Sequence, residues 1–400
     1  MNPPIDDLGE RIDREFRTRR FLDYHESSQW AVERAPFVQE LQRECAANPT
    51  GELVVLVERA VRHVVSVLLH ADDSDGLIGD LAAELLELHW QVCSCGVADP
   101  KGLARWMVRF SMEDQDFFTV DPIRYADALG TVGMTTYRRA VRKRVEAGDY
   151  AFAVRYATER LAVLDGDIDE IVRLLGGDLT RPFDFIQVAQ AMEELGRDDD
   201  VLHWAQRGIA ETSGWQVAQL YDIAASVHSR CGDGVREFLL RREEHARMPS
   251  AHSYEHLKVA AESEGRWSDE RVEALSILEG RDRGALVDVL LAEGEADQAW
   301  AVAEVAEDPE IGRQRWVALA DARMKTDPAD ALSVYLRLAD QDLTHAGRPS
   351  YARAIKCLKK AARAATAAGC TEAFEGHIRR LREEYRRRPA MLSMFERAGL

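Results

Sequence analysis

Apolar residues recur along this chain at intervals of three and four, the period of helices with one face turned inward. Ile5, Leu8, Ile12 and Phe16 share such a face and are followed by a break near Phe21–Ser28. Leu53, Leu56, Val57, Val61, Val64 and Leu68 mark the next long helix. Leu77, Leu81, Leu85, Leu88 and Val92 repeat the stripe after a turn at Asp72–Gly76. Asp99-Pro100 and Asp121-Pro122 each set a capping carboxylate before a proline suited to the first helical position. Gly130 and Gly148 read as helix stops. There is no alternating strand and no Asn-Gly hairpin, so the pattern predicts an all-α fold.

From about Thr180 the pattern repeats as an apolar helix, a Gly- or Asp-marked turn, and a second helix rich in small residues. The turns fall near Gly196, Gly232, Gly265, Gly294, Thr326 and Gly369, at intervals of 36, 33, 29, 32 and 43 residues. These bracket the tetratricopeptide period of about 34. The clearest copy runs from Phe183 to Glu211: Ala189 and Ala205 are small where helices approach, and Phe185, Met192, Leu195, Leu202 and Ile209 fill the contact. A weaker copy spans Ala285 to Ala306. One such pair cannot bury its apolar face alone, so neighbours must stack. The predicted architecture is an α-solenoid of stacked antiparallel helix pairs, tetratricopeptide-like with degenerate repeats. An N-terminal helical region covers 1–140, and the repeat covers 141–400 with a basic C-terminal cap.

Composition narrows the chemistry. Apolar residues form 46% and charged residues 30% of 400, which suits a folded chain. The net charge of −18 is uneven. Arg348 to Leu400 holds 13 Lys and Arg against 5 Asp and Glu, a net of +8, leaving −26 on the rest. An acidic body repels phosphate, so contact with nucleic acid would fall to the C-terminal end. There Arg379, Arg380, Arg382, Arg386, Arg387 and Arg388 are candidates for binding a partner, with helix-end stabilisation or a polar solenoid cap as the competing readings. The N-terminal stretch is charged almost from its start and has no apolar core of a signal peptide. The apolar run Leu53–Leu69 is broken by Glu58, Arg59, Arg62 and His63. Six scattered cysteines then read as reduced thiols, and the expected location is cytoplasmic, with no membrane partner.

Three clusters were weighed as sites. His89, Cys93 and Cys95, with His63 and His70, lack a full zinc set at ordinary spacing. Ala71 to Ala82 resembles a calcium loop but places alanine at both its first and last ligand positions, so it reads as an acidic turn capping the next helix. His252 and His256 flank Glu255 in an order unlike H-E-x-x-H, and chance exposure on a helix explains them. Most of Trp90, Trp106, Trp204, Trp215, Trp300 and Trp316 fall at core spacing. No phosphate loop, dinucleotide fingerprint or nucleophile elbow is present, so no cofactor is assigned.

Phe16 to Ala31, Arg181 to Glu211 and the ending RLREEYRRRPAMLSMFERAGL resemble the helical region that follows the finger in bacterial SWIM zinc-finger proteins, chiefly those of actinomycetes. HADDSDGLIGDLAAELLELHWQVC and DPIRYADALGTVGM are similar as well. The finger itself, C-x-C followed by C-x-H, has no match here, so the family's zinc and nucleic-acid ligands transfer to no residue of this chain. The resemblance implies either a finger supplied by another chain or a finger-less relative that keeps only the scaffold. The expected function is therefore a non-enzymatic scaffold holding a protein partner in a DNA-transaction assembly. Nucleic-acid binding through the basic C-terminal helix is the first alternative, and an enzyme with an unrecognised site is the second.

Overall fold

In the computed structural model, residues 5–306 and 308–400 are described, with side chains for 7–306 and 310–400; the side chain of Ile5 on the first predicted stripe lies outside them. The described residues form helices and no strand; a single bridge joins Leu22 to Ala71. The fold is all-α, as the apolar period predicts.

The chain divides into two compact units, Met1–Thr180 with Gln190–Arg197, and Arg181–Ala189 with Asp198–Leu400. The first holds α1 (Ile5–Phe16), α2 (Tyr24–Ala47), α3 (Gly51–Leu68), α4 (Leu77–Val92), α5 (Pro100–Arg109), α6 (Ala126–Glu146), α7 (Phe152–Asp165) and α8 (Ile168–Leu175). Helix α9 (Pro182–Glu194) contributes residues to both units. The second continues with α10 (Asp198–Glu211), α11 (Val217–Arg230), α12 (Gly234–Arg247), α13 (Ala251–Ser263), α14 (Trp267–Arg281), α15 (Arg283–Ala292) and α16 (Ala296–Val305). It ends with α17 (Asp308–Arg323), α18 (Pro328–Thr344), α19 (Arg348–Ala367), α20 (Thr371–Glu384) and α21 (Pro389–Ala398).

In the first unit the two predicted stripes face inward. Val57, Val61 and Val64 on α3 and Leu81, Leu85 and Leu88 on α4 are buried together with Ile12 and Phe16. Helix α2 begins where a break was expected: the Asp23 carboxylate accepts the His25 and Glu26 N–H groups, and Glu26 reaches back to Asp23. That capping box starts the helix at Tyr24 and shortens the break to residues 17–23. The acidic turn caps α4, since Asp73 accepts from Ile78 and Gly79, both at 2.9 Å. Asp99-Pro100 opens α5 as read. Asp121-Pro122 opens only a turn: Asp121 accepts the Ile123 N–H, its carboxylate is shared with Arg160 at 2.9 Å, and α6 begins at Ala126. Gly130 (φ 51°, ψ −168°) leaves the helical backbone, so α6 consists of two helical segments that meet there across a kink.

The second unit is built from helices that pack on their nearest and next-nearest neighbours in sequence, α10 on α11 through to α19 on α20, with α12 on α14, α13 on α15 and α15 on α17. This is the solenoid pattern of contacts. The turns share one chemistry. At Gly196 (φ 67°) the chain enters the left-handed region, and the next amide, Arg197 N–H, donates to Met192 O. The same bond to the carbonyl five residues back recurs after Gly232, Gly265, Gly294 and Gly369. The turn at Thr326 has no such glycine; there Asp327 caps α18 ahead of Pro328. Phe374, Ile378 and Leu381 of α20 and Met391 and Phe395 of α21 close this core.

Small residues set the spacing between helices. Ala189 and Ala205 are fully buried, as the repeat predicts, and the helices also approach closely at Gly208. A Cβ there would sit 2.7 Å from both Leu220 Cδ1 and Phe185 Cβ, whereas one at Gly280 would meet nothing within 4 Å. Alanine favours a helix over glycine by about 1 kcal/mol, but overpacking costs about 1–3 kcal/mol. Gly280→Ala should therefore raise stability by about 0.5–1 kcal/mol, and Gly208→Ala should lower it by about 1–2 kcal/mol. Urea unfolding of the two variants checks the opposite signs.

Candidate functional site

The six C-terminal arginines lie on α20 and the turn before α21, and acids or main-chain oxygens already engage four of them. Arg380 pairs with Asp340 and Glu384, both at 3.0 Å, and Arg386 pairs with Glu383 at 2.5 Å. Arg382 donates to the main-chain oxygen of Leu400. Arg388 donates to Leu343 O at 2.7 Å and stacks 4.6 Å over the Tyr385 ring. Arg379 and Arg387 are exposed with neither an acidic nor a main-chain partner among the described residues. The run is thus partly a stabilising end to the unit.

Unmatched positive charge concentrates one helix earlier. Helix α19 carries Arg348, Arg353, Lys356, Lys359, Lys360 and Arg363 and no acid. Lys356, Lys359, Lys360 and Arg363 follow the three-four spacing of one face. Lys360 pairs with Asp321 at 2.6 Å, and Arg353 pairs with Asp342 at 3.0 Å. Lys356, Lys359 and Arg363 are exposed and have no acidic partner among the described residues.

Beside this face runs a groove of about 270 Å³, lined by Arg313, Gln314 and Val317 of α17 and by Arg353, Lys356, Cys357 and Lys360 of α19. Buried Asp342 of α18 holds its base, accepting from Arg313 at 2.6 Å. The same Arg313 nitrogen, Nη2, lies 3.2 Å from the Cys357 sulfur. Arg313 Nη1 is buried and finds no acceptor among the described residues. A buried donor left unpaired costs about 1–3 kcal/mol. The whole-chain charge pattern already placed a positive excess beyond Arg348. Arg313 could not be found that way, because it is brought to α19 only by packing.

The histidine and cysteine cluster of the first unit does not converge on a metal. His63 Nε2 pairs with Asp13 at 2.9 Å, and His70 Nδ1 meets Ser66 O at 2.9 Å. His89 is fully buried, stacked 4.0 Å from the Trp106 ring, with Nδ1 on the Tyr125 hydroxyl at 2.9 Å. Burial holds its pKa below the ordinary histidine value, opposed by Glu58. Burial also pushes the Cys93 thiol up to about 12, and that of Cys45 to about 11, so neither is a nucleophile near neutrality. Cys95 turns outward. Trp106, Trp204, Trp300 and Trp316 are core residues, Trp90 donates to Arg124 O at 2.7 Å, and Trp215 departs from core spacing, 82% exposed.

Sequence alone treated His252 and His256 as a chance exposed pair; the structure corrects this for His256. Its Nδ1 lies 3.5 Å from Asp222 of α11 and 3.8 Å from Glu244 of α12, and its ring centre is 3.9 Å from that of His252. Arg241 Nη1 bridges the two carboxylates at 2.8 and 2.7 Å. Burial, Arg241 and His252 lower the His256 pKa against the opposing pull of Glu244 and Asp222. One turn away, buried His245 is fixed between Ser253 Oγ and Ala274 O, both at 3.0 Å, and burial lowers its pKa too.

No family model matches this chain, and no curated protein does. A solved structure described as a circular tandem repeat protein with novel repeat topology and enhanced subunit contact surfaces is similar at 14% identity, over 99% of this chain and 91% of its own, with a TM-score of 0.20. No helix among the described residues is long and apolar enough to cross a membrane.

Two outcomes follow from these environments. A thiol reagent at mildly alkaline pH should label exposed Cys95 and Cys231 rapidly and leave Cys45 and Cys93 unmodified until unfolding, which peptide mapping reads directly. His89, His228, His245 and His256 all have lowered pKa values in the fold, so below an unfolded value of about 6.5 the unfolded chain binds more protons. The melting temperature should be flat above about pH 7 and fall as pH drops through 6.5 and below. His245→Gln should flatten that slope.

Proposed function

We propose that this chain is a non-enzymatic helical-repeat scaffold that holds an acidic segment of a partner protein against α19 and the α17–α19 groove. One observation carries the reading: a helix face with three exposed cations, unmatched among the described residues, borders a groove lined by Arg313, Arg353 and Lys360. Carboxylates spaced along an extended or helical segment meet Lys356, Lys359 and Arg363 together. Arg379 and Arg387 extend the positive surface available to the same segment.

An acidic peptide fits this charge distribution better than a nucleic acid. The remaining chain carries a net −26, which repels a continuous phosphate backbone, whereas a peptide places its charges only where the cations are. Helical-repeat folds commonly hold peptides by stacked helix faces. The resemblance to SWIM zinc-finger proteins is consistent with a partner drawn from a DNA-transaction assembly. The lack of an enzymatic role is supported by the Cys93 and Cys45 thiols, which burial raises to about 12 and about 11, so that neither is an activated nucleophile.

The test is fluorescence anisotropy at low salt with a labelled Glu-rich peptide and, in parallel, a labelled single-stranded oligonucleotide. The peptide should bind and weaken with added salt. Lys356→Glu, Lys359→Glu and Arg363→Glu together should cost about 2 kcal/mol, more than tenfold in affinity. Arg386→Ala with Arg387→Ala should have a smaller effect. Tighter binding of the oligonucleotide would establish the nucleic-acid alternative, and binding of neither probe would remove the proposal.

A further inference from the structure

We propose that Asp222, Glu244 and His256, with His252 alongside, form a binding site for a divalent transition-metal ion of the zinc class. Among the described residues, Asp222, Glu244 and His256 are the group whose ligand atoms gather closely, all within 4.8 Å. They come from three consecutive helices, α11, α12 and α13, so packing rather than local sequence assembles them.

The donor set suits such an ion. Zinc takes nitrogen and carboxylate oxygen at about 2.0–2.2 Å, which sets neighbouring tetrahedral donors about 3.3–3.6 Å apart. His256 Nδ1 stands 3.5 Å from Asp222 Oδ1 and 3.8 Å from Glu244 Oε2. Those separations are too long for hydrogen bonds, and Nδ1 is buried with no other partner among the described residues. An imidazole nitrogen facing two carboxylate oxygens, hydrogen-bonded to neither, is an arrangement that a bound cation would complete. His252, four residues earlier on the same helix, stands 3.9 Å away ring to ring beside the three donors, and water would complete the coordination of an ion held by them. Asp222 remains 44% exposed, which gives the ion a route in.

Arg241 is the resident cation of this cluster. A single guanidinium nitrogen bridges the same two carboxylate oxygens, with Glu244 almost wholly buried. The ion and Arg241 Nη1 therefore compete for those oxygens, and metal binding exchanges one positive group for another. A purely structural ion-pair network makes the opposite claim: removing Arg241 would create no affinity for metal.

Titrating the full chain with Zn(II) by calorimetry, and with Co(II) by its visible ligand-field absorption, separates the two. Wild type should take up one equivalent. His256→Ala and Glu244→Gln should each lose at least about tenfold to a hundredfold in affinity, because even outer partners of metal ligands carry effects of that size. His252→Ala should lose less. Arg241→Gln should bind more tightly than wild type and gain more melting temperature on zinc addition, with helical circular dichroism confirming that each variant is folded. Absence of uptake by wild type at micromolar metal overturns the proposal. So does uptake that His256→Ala and Glu244→Gln leave unchanged, or that folded Arg241→Gln fails to strengthen.

Discussion

Close approach of helix backbones through alanine and glycine is the constraint on which this structure depends. In the second unit Ala354, Ala361, Ala364 and Ala365 of α19 are all fully buried, and Ala331 and Ala339 are fully buried on α18, against which α19 packs. Gly208 and Gly133 mark contacts where even a methyl group has no room; at Gly133 a Cβ would fall 2.6 Å from Pro100 O. Such seams bury little area per residue, so each helix draws its stability from neighbours on either side rather than from one large core. Tyrosines fill the wider gaps. Tyr221, Tyr254 and Tyr335 are almost wholly buried, and each hydroxyl reaches a carboxylate at the rim, Glu243, Glu293 and Asp321. The repeated device satisfies the polar end of a large core side chain and fixes how far neighbouring helices may slide.

The same packing decides which charges are spent and which stay available. Asp321 is occupied by Tyr335 and Lys360, and Asp342 by Arg313 and Arg353, so these acids are committed to holding α17, α18 and α19 together. Lys356, Lys359 and Arg363 on the same helix have no acidic counterpart among the described residues. At the C-terminal end the balance runs the other way, with Asp340, Glu383 and Glu384 drawn to Arg380 and Arg386. Surface ion pairs of this kind add little stability each, but they remove charge from what a partner meets.

Sequence pattern revealed the parts of the fold governed by local rules. The α3 and α4 stripes repeat at helical period, and the glycine turns of the second unit demand a left-handed backbone that glycine adopts freely. Helix α2 escaped because Pro36, a residue that ordinarily ends a helix, stands in its middle. The Asp23–Glu26 pair was a readable start signal for it. The site was less legible for a different reason. Arginines adjacent in sequence point to Arg386–Arg388, whereas the groove unites Arg313 with Lys356, 43 positions apart, and His256 meets Asp222 and Glu244 only through the packing of α11, α12 and α13. Periodicity states which face is buried, but not which faces meet.

One small feature of the first unit reaches beyond its size. Leu22 and Asp72 exchange main-chain hydrogen bonds with their opposite turn, Leu22 N–H to His70 O at 3.3 Å and Asp72 N–H to Leu22 O at 2.9 Å, while the Ser27 hydroxyl donates to Asp72 O. Two connections that look like independent surface loops are thereby clasped into a single fastening between the α1–α2 and α3–α4 hairpins. Lengthening either one would unbutton both, so the evolutionary freedom usually granted to loops is withheld from this corner of the molecule.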